Sequence, residues 1–225
     1  MPSSRSFRHR YAGAAAAMLA LLLSACVGGP SAPTRRIATA PRAPVRSAPS
    51  LDTRQCMASL ATAQVRYDAL PDRDFGGGCT AFNSVKLLDI GTPVTNLGSM
   101  TCPLAAKFAA WARYAVQPAA RLVLGAEIVR IDTFGTYNCR AIAGGAKLSE
   151  HAHANAVDVA AFVLADGRRI TVKGDWSGSG RGAKFLRVVH DSACKRFMTV
   201  LSPGYNAAHH DHFHFDMGGV RNFCA

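Results

Sequence analysis

The fold is constrained most by an eight-residue run near the end of the chain, HHDHFHFD at residues 209–216. Successive side chains of a β-strand point to opposite faces of a sheet. A strand here would place His212, His214 and Asp216 on one face and both phenylalanines on the other, toward a core. Imidazole and carboxylate groups backed by buried aromatic rings are typical of a metal or acid/base site. The alternative is a histidine-rich surface run that binds metal only adventitiously.

A second stretch, SEHAHANAVD at residues 149–158, carries the same types of side chain. His151 and Asp158 are seven residues apart and could share one face of a helix. The β-branched residues after Ala156 instead favour a loop that enters a strand. The strand would fix the carboxylate of Asp158, and the preceding loop would let His151 turn toward it.

Charge is distributed unevenly along the 225 residues. Seven of the 26 lysines and arginines lie in the first 50 residues, whereas all 14 acidic residues lie after them. Residues 51–225 therefore carry 19 basic and 14 acidic residues, a net charge of only +5. Because most of the basic excess belongs to a leader and a linker, nucleic-acid binding is not expected. Anionic lipid or wall polymer is a better partner for a basic linker.

Residues 1–25 have the features of a lipoprotein signal peptide. Three arginines precede a short apolar run from Ala12 to Leu23, which is too short for an ordinary membrane span. The run leads into LSAC at residues 23–26. This sequence resembles a bacterial lipobox, in which Cys26 is lipidated and becomes the mature N-terminus. An ordinary secretory leader that leaves Cys26 free is the alternative.

Residues 26–50 are rich in Pro, Ser, Ala and Arg and are predicted to form a disordered tether. Residues 51–225 are predicted to form the folded domain. By resemblance to known lipoprotein sorting rules, the absence of an acidic residue close after Cys26 fits retention at the outer membrane. We therefore expect an exported lipoprotein, attached to the outer membrane by its acyl chains and facing the periplasm of a Gram-negative bacterium.

The domain contains six cysteines besides Cys26, and none of them forms a CxxC pair. An even number of cysteines in an exported chain predicts three disulfides. Six cysteines allow 15 connectivities, and the sequence does not choose among them. Pairing in chain order gives the working prediction, which is Cys56–Cys79, Cys102–Cys139 and Cys194–Cys224.

Hydrophobic periodicity and turn residues predict an α+β fold with a small antiparallel sheet flanked by helices. Pro118 is expected to break the second helix into two. The strands and helices are segregated rather than alternating as βαβ units. The expected elements in chain order are a helix at 51–67, strands at 81–88 and 94–97, a helix at 101–124, a strand at 127–134, a hairpin at 156–164 and 169–173, a helix at 183–201 and the histidine strand.

Two resemblances rest on these stretches. The order Ser149-x-His151, Asp158 and, far downstream, His212-x-His214 resembles the zinc metallopeptidases of the lysostaphin, D-Ala-D-Ala peptidase and hedgehog group. Ala154 departs from that motif, which usually has glycine there. The surrounding sequence resembles the extensin-like C-terminal domain family of bacteria over roughly residues 54–224. The pieces that carry this second resemblance are CPL at 102–104, TYNCR at 136–140, LSEHA at 148–152, DW at 175–176, FLR at 185–187 and LSPGYN at 201–206.

The resemblance to the metallopeptidases implies a metal site on the sheet. One Zn²⁺ per chain would be held by His151, Asp158 and His214, which leaves a fourth position for water. The implied function is a zinc-dependent peptidase that acts on stem or cross-link peptides of peptidoglycan in the periplasm. A non-catalytic, zinc-containing module that binds the cell wall or a protein partner is the alternative.

The resemblance also implies roles for residues around the metal. His212 would lie beside it as the acid/base group or oxyanion partner, and Asp211 is the alternative base. His209 would orient either of them. Arg140 would hold a carbonyl or a terminal carboxylate of the substrate, or else be a surface arginine beside a disulfide.

Overall fold

The structure is a computed structural model that describes residues 49–225. The predicted signal peptide, the predicted lipidation site at Cys26 and all of the predicted tether except its last two residues lie outside the described residues. Within residues 49–225, no helix is both long enough and apolar enough to cross a membrane.

Helices and strands are segregated along the described chain, which confirms the predicted α+β class. The α-helices are α1 (Leu51–Thr62), α2 (Cys102–Trp111), α3 (Gln117–Ala119), α4 (Val172–Asp175) and α5 (Arg181–Cys194). The strands are β1 (Arg66–Ala69), β2 (Arg73–Gly76), β3 (Cys79–Ala81), β4 (Ser84–Asp89), β5 (Met100–Thr101), β6 (Ile128–Gly135), β7 (Ala156–Leu164), β8 (Arg169–Thr171), β9 (Thr199–Leu201), β10 (Phe213–Asp216) and β11 (Phe223–Cys224). Short 3₁₀ turns cover Glu150–His153 and Ala207–His209.

The main sheet has six strands and is organised around β7. β7 pairs antiparallel with β6, with β10 through its first half and with β8 through its second half. β9 lies beside β10, and β11 adds a short parallel strand next to β9. The predicted hairpin is confirmed, although β8 ends at Thr171, where α4 begins.

The hydrophobic core lies between the main sheet and the helices α2 and α5. Phe213 and Phe215 of β10 are fully buried in this core, as the alternation of the histidine run predicts. The Trp111 ring of α2 meets Phe215 edge to face at 5.0 Å, and its indole N–H donates to the Val189 carbonyl of α5 at 2.9 Å. Because side chains alternate along a strand, the polar residues of β10 point away from this core.

Two smaller sheets are formed earlier in the chain. β1, β4 and β5 form a three-stranded sheet, and β2 and β3 form a hairpin. The turn of the hairpin is Gly76-Gly77-Gly78, and all three glycines have positive φ, the region that other residues avoid. The predicted strand at 81–88 is divided between β3 and β4. The division falls at Asn83, which also has a positive φ of 50°.

Three disulfides staple the domain, but two of the three predicted pairs are wrong. The structure pairs Cys56 with Cys102 and Cys79 with Cys139. The first bond joins α1 to the start of α2, and the second joins β3 to the loop after β6. Pairing in chain order assumes that neighbours in sequence are neighbours in space, and these long-range contacts violate that assumption. The third bond, Cys194–Cys224, is the predicted pair.

Three predicted elements have different bounds in the structure. The first helix ends at Thr62, because residues 66–69 pair with β4 as a strand. The last helix ends at Cys194 rather than 201, since residues 199–201 pair with β10 and β11. The predicted strand at 94–97 is reduced to a single bridge between Val94 and Ile131.

Two further predictions are corrected by local geometry. Pro118 does not break its helix: residues 102–124 stay helical through π turns at Ala112–Val116 and Ala120–Leu124. Proline removes one hydrogen bond of the regular α-helix, and here wider turns on either side of it continue the helix. The histidine strand begins only at Phe213, because residues 207–209 form a 3₁₀ turn.

Candidate metal centre

Three side chains of metal-ligating type meet beside the main sheet. Asp158 of β7 and His214 of β10 are directly opposite each other in the antiparallel register, and His151 approaches from the 3₁₀ turn before β7. His151 Nε2 lies 3.0 Å from Asp158 Oδ2 and 3.2 Å from His214 Nδ1, and His214 Nδ1 lies 2.9 Å from Asp158 Oδ1. All three residues are buried. We call them the ligand triad.

The turn that carries His151 has a strained end. The Ser149 hydroxyl accepts a hydrogen bond from the His151 backbone N–H at 3.4 Å, which caps the start of the turn. The turn ends at Ala154, whose φ of 54° and ψ of 27° lie in the left-handed region that favours glycine. An L-residue with a side chain pays roughly 1 kcal/mol or more for that conformation. The backbone therefore has the shape that the glycine of the metallopeptidase motif would suit.

Contacts on the far sides of the two imidazoles show that the outer nitrogen of each ring carries a hydrogen. His151 Nδ1 lies 2.6 Å from the Thr136 carbonyl oxygen, which can only accept, so this nitrogen carries a hydrogen. His214 Nε2 lies 3.0 Å from Asp216 Oδ2 and donates to it. In the metal-binding form, in which neither ring carries a second proton, the other nitrogen of each ring has a lone pair directed at the centre of the triad. The Asp158 carboxylate adds a third lone-pair donor at the same point.

The electrostatics of the triad without a metal are those of a site that needs a positive charge. Burial alone would raise the pKa of Asp158, but the hydrogen bonds and charges of His151 and His214 outweigh it and hold that pKa well below its usual range. Burial alone would lower the pKa of His214, but Asp158 and Asp216 outweigh it and raise that pKa to about 9. A proton on His214 thus neutralises the converging lone pairs, and a metal ion would compete with that proton.

His212 lies beside the triad and is held in place on two sides. Its Nδ1 donates to Asp211 Oδ1 at 2.9 Å, and its Nε2 lies 3.6 Å from Asp158 Oδ1. The ring of Phe134 packs against it edge to face at 5.6 Å. Burial would raise the pKa of Asp211, but its hydrogen bond with His212 and the charges of His210 and His212 lower it. His212 and Asp211 therefore form an oriented pair whose free nitrogen faces the triad.

His209 lies in the 3₁₀ turn that precedes β10, close to His212, one of the two residues that it was predicted to orient. Its Nδ1 is 2.7 Å from Asn206 Oδ1, while its ring packs 5.2 Å from His212 and 5.7 Å from His214. Its contacts with these two histidines are therefore ring contacts. Burial and the charges of His214 and His212 lower the pKa of His209 to about 4, so it is neutral at pH 7.

A cavity of about 400 Å³ opens beside His209, His212 and His214. The exposed Arg140 lies on its wall, one residue after the Cys79–Cys139 disulfide. The Arg140 carbonyl accepts from the Ser149 N–H at 3.1 Å, which ties its loop to the turn that carries His151. Arg140 is therefore both beside a disulfide and on the wall of the cavity, the two positions that the sequence left open.

Comparison with known proteins identifies the family. The family model described as "Extensin-like protein C-terminus" matches residues 54–225. The chain belongs to this family. No curated protein matches the chain, and no solved structure matches it. The match begins within α1 and covers every later element, including those that carry the ligand triad and the cavity.

The extensin-like domain has a second group of metal-ligating residue types within residues 49–225. His190, Cys194 and Cys224 place their ligand atoms within 4.8 Å of one another, and we call them the cysteine group. The two sulfur atoms are bonded to each other, so no thiolate is free to bind a metal. His190 is buried against the rings of Trp176 and Phe213, at 5.2 and 5.5 Å. This histidine is a packing residue.

Sequence reasoning missed two contributors to the ligand triad of the extensin-like domain. Asp216 was placed on the correct strand face, but its hydrogen bond to His214 was not anticipated. The i, i+2 spacing of His214 and Asp216 in a strand was the available signal. Thr136 contributes a backbone carbonyl, and a carbonyl leaves no mark on residue type. Its position after β6 could be found only from the fold.

Proposed function

We propose that this extensin-like domain is a zinc-dependent peptidase that cleaves stem or cross-link peptides of peptidoglycan. The ligand triad would hold one Zn²⁺ per chain. The observation that carries the proposal is the convergence of two imidazole lone pairs and a carboxylate beside His212, whose far nitrogen is bonded to Asp211. The resemblance of the spacing to the lysostaphin, D-Ala-D-Ala peptidase and hedgehog group supports the same reaction class.

The spacing of the ligand atoms supports zinc. Zinc bonds of 2.0–2.2 Å at tetrahedral angles place neighbouring ligand atoms roughly 3.3 Å apart. His151 Nε2 and His214 Nδ1 lie 3.2 Å apart, and they lie 3.0 and 2.9 Å from the Oδ2 and Oδ1 atoms of Asp158, respectively. Two imidazoles and one carboxylate form a borderline donor set that suits zinc, and three protein ligands would leave a fourth position for water. Zinc, when bound, supplies a Lewis acid that polarises a carbonyl and makes water a better nucleophile.

His212 is the residue we assign to proton transfer. Its Nδ1–H is bonded to Asp211, so its Nε2, the nitrogen nearer to Asp158, can accept a proton from attacking water and later give it to the leaving amine. Asp211 was the alternative base. Because its Oδ1 is occupied by His212, we assign it the orienting role.

Arg140 is the residue we assign to substrate binding. It is exposed on the cavity wall, and its guanidinium would pair with a carbonyl or a terminal carboxylate of the peptide. His209, neutral and packed against His212 and His214, would restrict the orientations of these two rings.

We also propose the location that the sequence implies. Cys26 would be lipidated and would anchor the protein in the outer membrane, with residues 26–50 as the tether that lets the domain reach peptidoglycan from the periplasmic side. A lipid-anchored wall enzyme needs such a spacer, because its substrate is a polymer that does not diffuse to it.

The test is digestion of purified peptidoglycan by the zinc-loaded protein, followed by chromatography of the products. Wild type should convert cross-linked or pentapeptide-containing fragments to shorter ones. His212→Gln should keep zinc and lose about 10²- to 10⁴-fold in rate, because proton transfer is removed while the triad stays intact. His153→Gln is the matched control: this half-buried histidine lies in the same turn as His151 but bonds to Thr80, so activity should be unchanged.

Two results would contradict the proposal. If wild type binds zinc but leaves peptidoglycan unchanged, the peptidase assignment is wrong, and the non-catalytic alternative takes its place. If His212→Gln digests at the wild-type rate, the proton-transfer role of His212 is wrong.

A further inference from the structure

We propose that the segment 217–225 is a substrate-selecting wall of the cavity, and that Phe223 and Tyr205 form its apolar subsite. The inference rests on the proposed function and deepens it. The segment leaves β10 directly after Asp216 and returns to the edge of the main sheet as β11. On the way, Gly218, Gly219 and Phe223 line the cavity beside the ligand triad.

A row of aromatic rings leads from this segment to the triad. Phe223 meets Tyr205 edge to face at 5.6 Å, Tyr205 packs 5.7 Å from His209, and His209 packs 5.7 Å from His214. Phe223 and Tyr205 remain 47% and 45% exposed, although both line the cavity. Half-exposed rings in a concave site are unused apolar surface, which a ligand can cover.

The start of the segment is fixed to the residues around the triad. The Met217 N–H donates to the Asn155 carbonyl at 3.2 Å, and the Gly218 N–H donates to Asp216 Oδ1 at 2.9 Å. A Cβ atom on Gly218 would collide with the carboxyl group of Glu150, so a larger residue here would displace the Glu150 side chain, which also accepts from the Asn155 amide. Glu150 belongs to the turn that carries His151, so the start of the segment 217–225 is packed against the same turn that positions a residue of the triad.

The end of the segment depends on a disulfide. β11 has two residues, and the Phe223 and Ala225 N–H groups donate to the Met198 and Val200 carbonyls at 2.8 and 3.0 Å. Residues 219–224 are exposed, and a two-residue edge strand with little burial opens easily by itself. The Cys194–Cys224 bond to α5 supplies the missing constraint and holds Phe223 at the cavity.

The chemistry of the cavity selects one kind of ligand. The rings of Phe223 and Tyr205 offer apolar contact, and Arg140 and Lys147 offer positive charge elsewhere on the lining. The geometry fits a peptide whose apolar side chain, next to the group at the triad, lies against the two rings while a carboxylate or carbonyl faces the cations. Phe223 is thus a specificity-determining residue.

The test compares two hydroxamates, which bind zinc through the same group but differ in their apolar part. Acetohydroxamate carries a methyl group, and 3-phenylpropionohydroxamate carries a phenyl ring on a short chain. Each is titrated calorimetrically into the zinc-loaded full chain. Phe223→Ala should weaken the phenyl compound by about fivefold to tenfold, because roughly half a ring of apolar contact is lost. It should leave acetohydroxamate unchanged. Val220→Ala is the matched control, because Val220 lies in the same segment, is 95% exposed and does not line the cavity.

The outcomes distinguish a failure of the apolar subsite from a failure of the zinc site. If both hydroxamates bind and Phe223→Ala changes neither, or changes both alike, the subsite is overturned while the zinc site stands. If Val220→Ala has the same effect as Phe223→Ala, the contact is not specific to the ring, and the assignment is also overturned. If neither compound binds the wild-type protein in the presence of zinc, the assignment of the metal centre is contradicted, and so is the subsite that rests on it.

Discussion

The ligand triad and the cysteine group each bring three ligand atoms within 4.8 Å of one another, yet their chemistry is opposite. In the triad, each imidazole is bonded on its far side to an acceptor, so its inner nitrogen has a lone pair for a metal once any second proton on the ring is lost. In the cysteine group, the two sulfur atoms are bonded to each other in a disulfide, and the histidine beside them packs against aromatic rings.

The difference teaches that proximity alone does not make a metal site. What distinguishes the two groups is the outer contacts that leave lone pairs free in one and the covalent bond that removes them in the other. Both groups lie on the same sheet. β10 supplies His214 to the triad, and β11, two strands away, supplies Cys224 to the Cys194–Cys224 disulfide. We therefore expect the two groups to respond separately to redox, pH and mutation.

The largest expected effect concerns the cysteine group. The double variant Cys194→Ser/Cys224→Ser removes a bond between residues 30 apart in sequence, and the free energy of unfolding should fall by about 3–4 kcal/mol. Zinc affinity should stay unchanged, since the triad lies on β7, β10 and the turn before β7. Denaturant unfolding and zinc titration measure the two quantities. A parallel loss of zinc affinity would mean that the groups are not independent.

The next effect concerns the proton that the triad binds when no metal is present. The folded pKa of His214 is about 9, above its unfolded value of about 6.5. Its contribution to stability is therefore fully present below pH 6.5 and is lost as pH rises through 9. The metal-free protein should lose about 3 kcal/mol of unfolding free energy over this range relative to His214→Gln. Chemical denaturation at several pH values checks this, and a pH-independent difference between the two proteins would contradict it.

A smaller effect is expected from a partner of the triad. Asp216→Asn keeps the shape of the side chain but removes the carboxylate that accepts from His214 Nε2, and zinc affinity should fall about 10- to 100-fold. Asp191→Asn is the matched control beside the cysteine group. This carboxylate lies 3.4 Å from His190, but its side chain is 75% exposed, so its loss should leave zinc affinity unchanged. Competition with a chromogenic chelator measures both. Equal zinc affinities for wild type and Asp216→Asn would show that Asp216 does not tune the triad.

Much of the site could be predicted from the sequence, because it lies on residues with short-range rules. The alternation of the histidine run placed the phenylalanines in the core and His214 with Asp216 on the other face. The β-branched residues after Ala156 gave the bounds of β7 and thereby the position of Asp158. A period of two residues is a local property of a strand, so no knowledge of the fold was needed.

The rest depended on contacts between distant parts of the chain. Nothing local indicates that Cys56 pairs with Cys102, which requires α1 to pack against α2. The Thr136 carbonyl has no signature in residue type, and the end of α5 is set by strand pairing of residues 199–201 rather than by helix propensity. The predicted strand was too long at its start for the same reason, since the 3₁₀ turn at 207–209 replaces the alternating pattern there, although His212 still lies beside the triad.

The most direct test of the account is the metal content of the purified, oxidised protein, measured by native mass spectrometry after zinc has been offered and the excess removed. The account predicts one zinc per wild-type chain and none in His151→Ala or His214→Ala, with all three disulfides intact in each. A wild-type chain that takes up no zinc, or zinc retained by both variants, would contradict the assignment of the ligand triad as the metal centre.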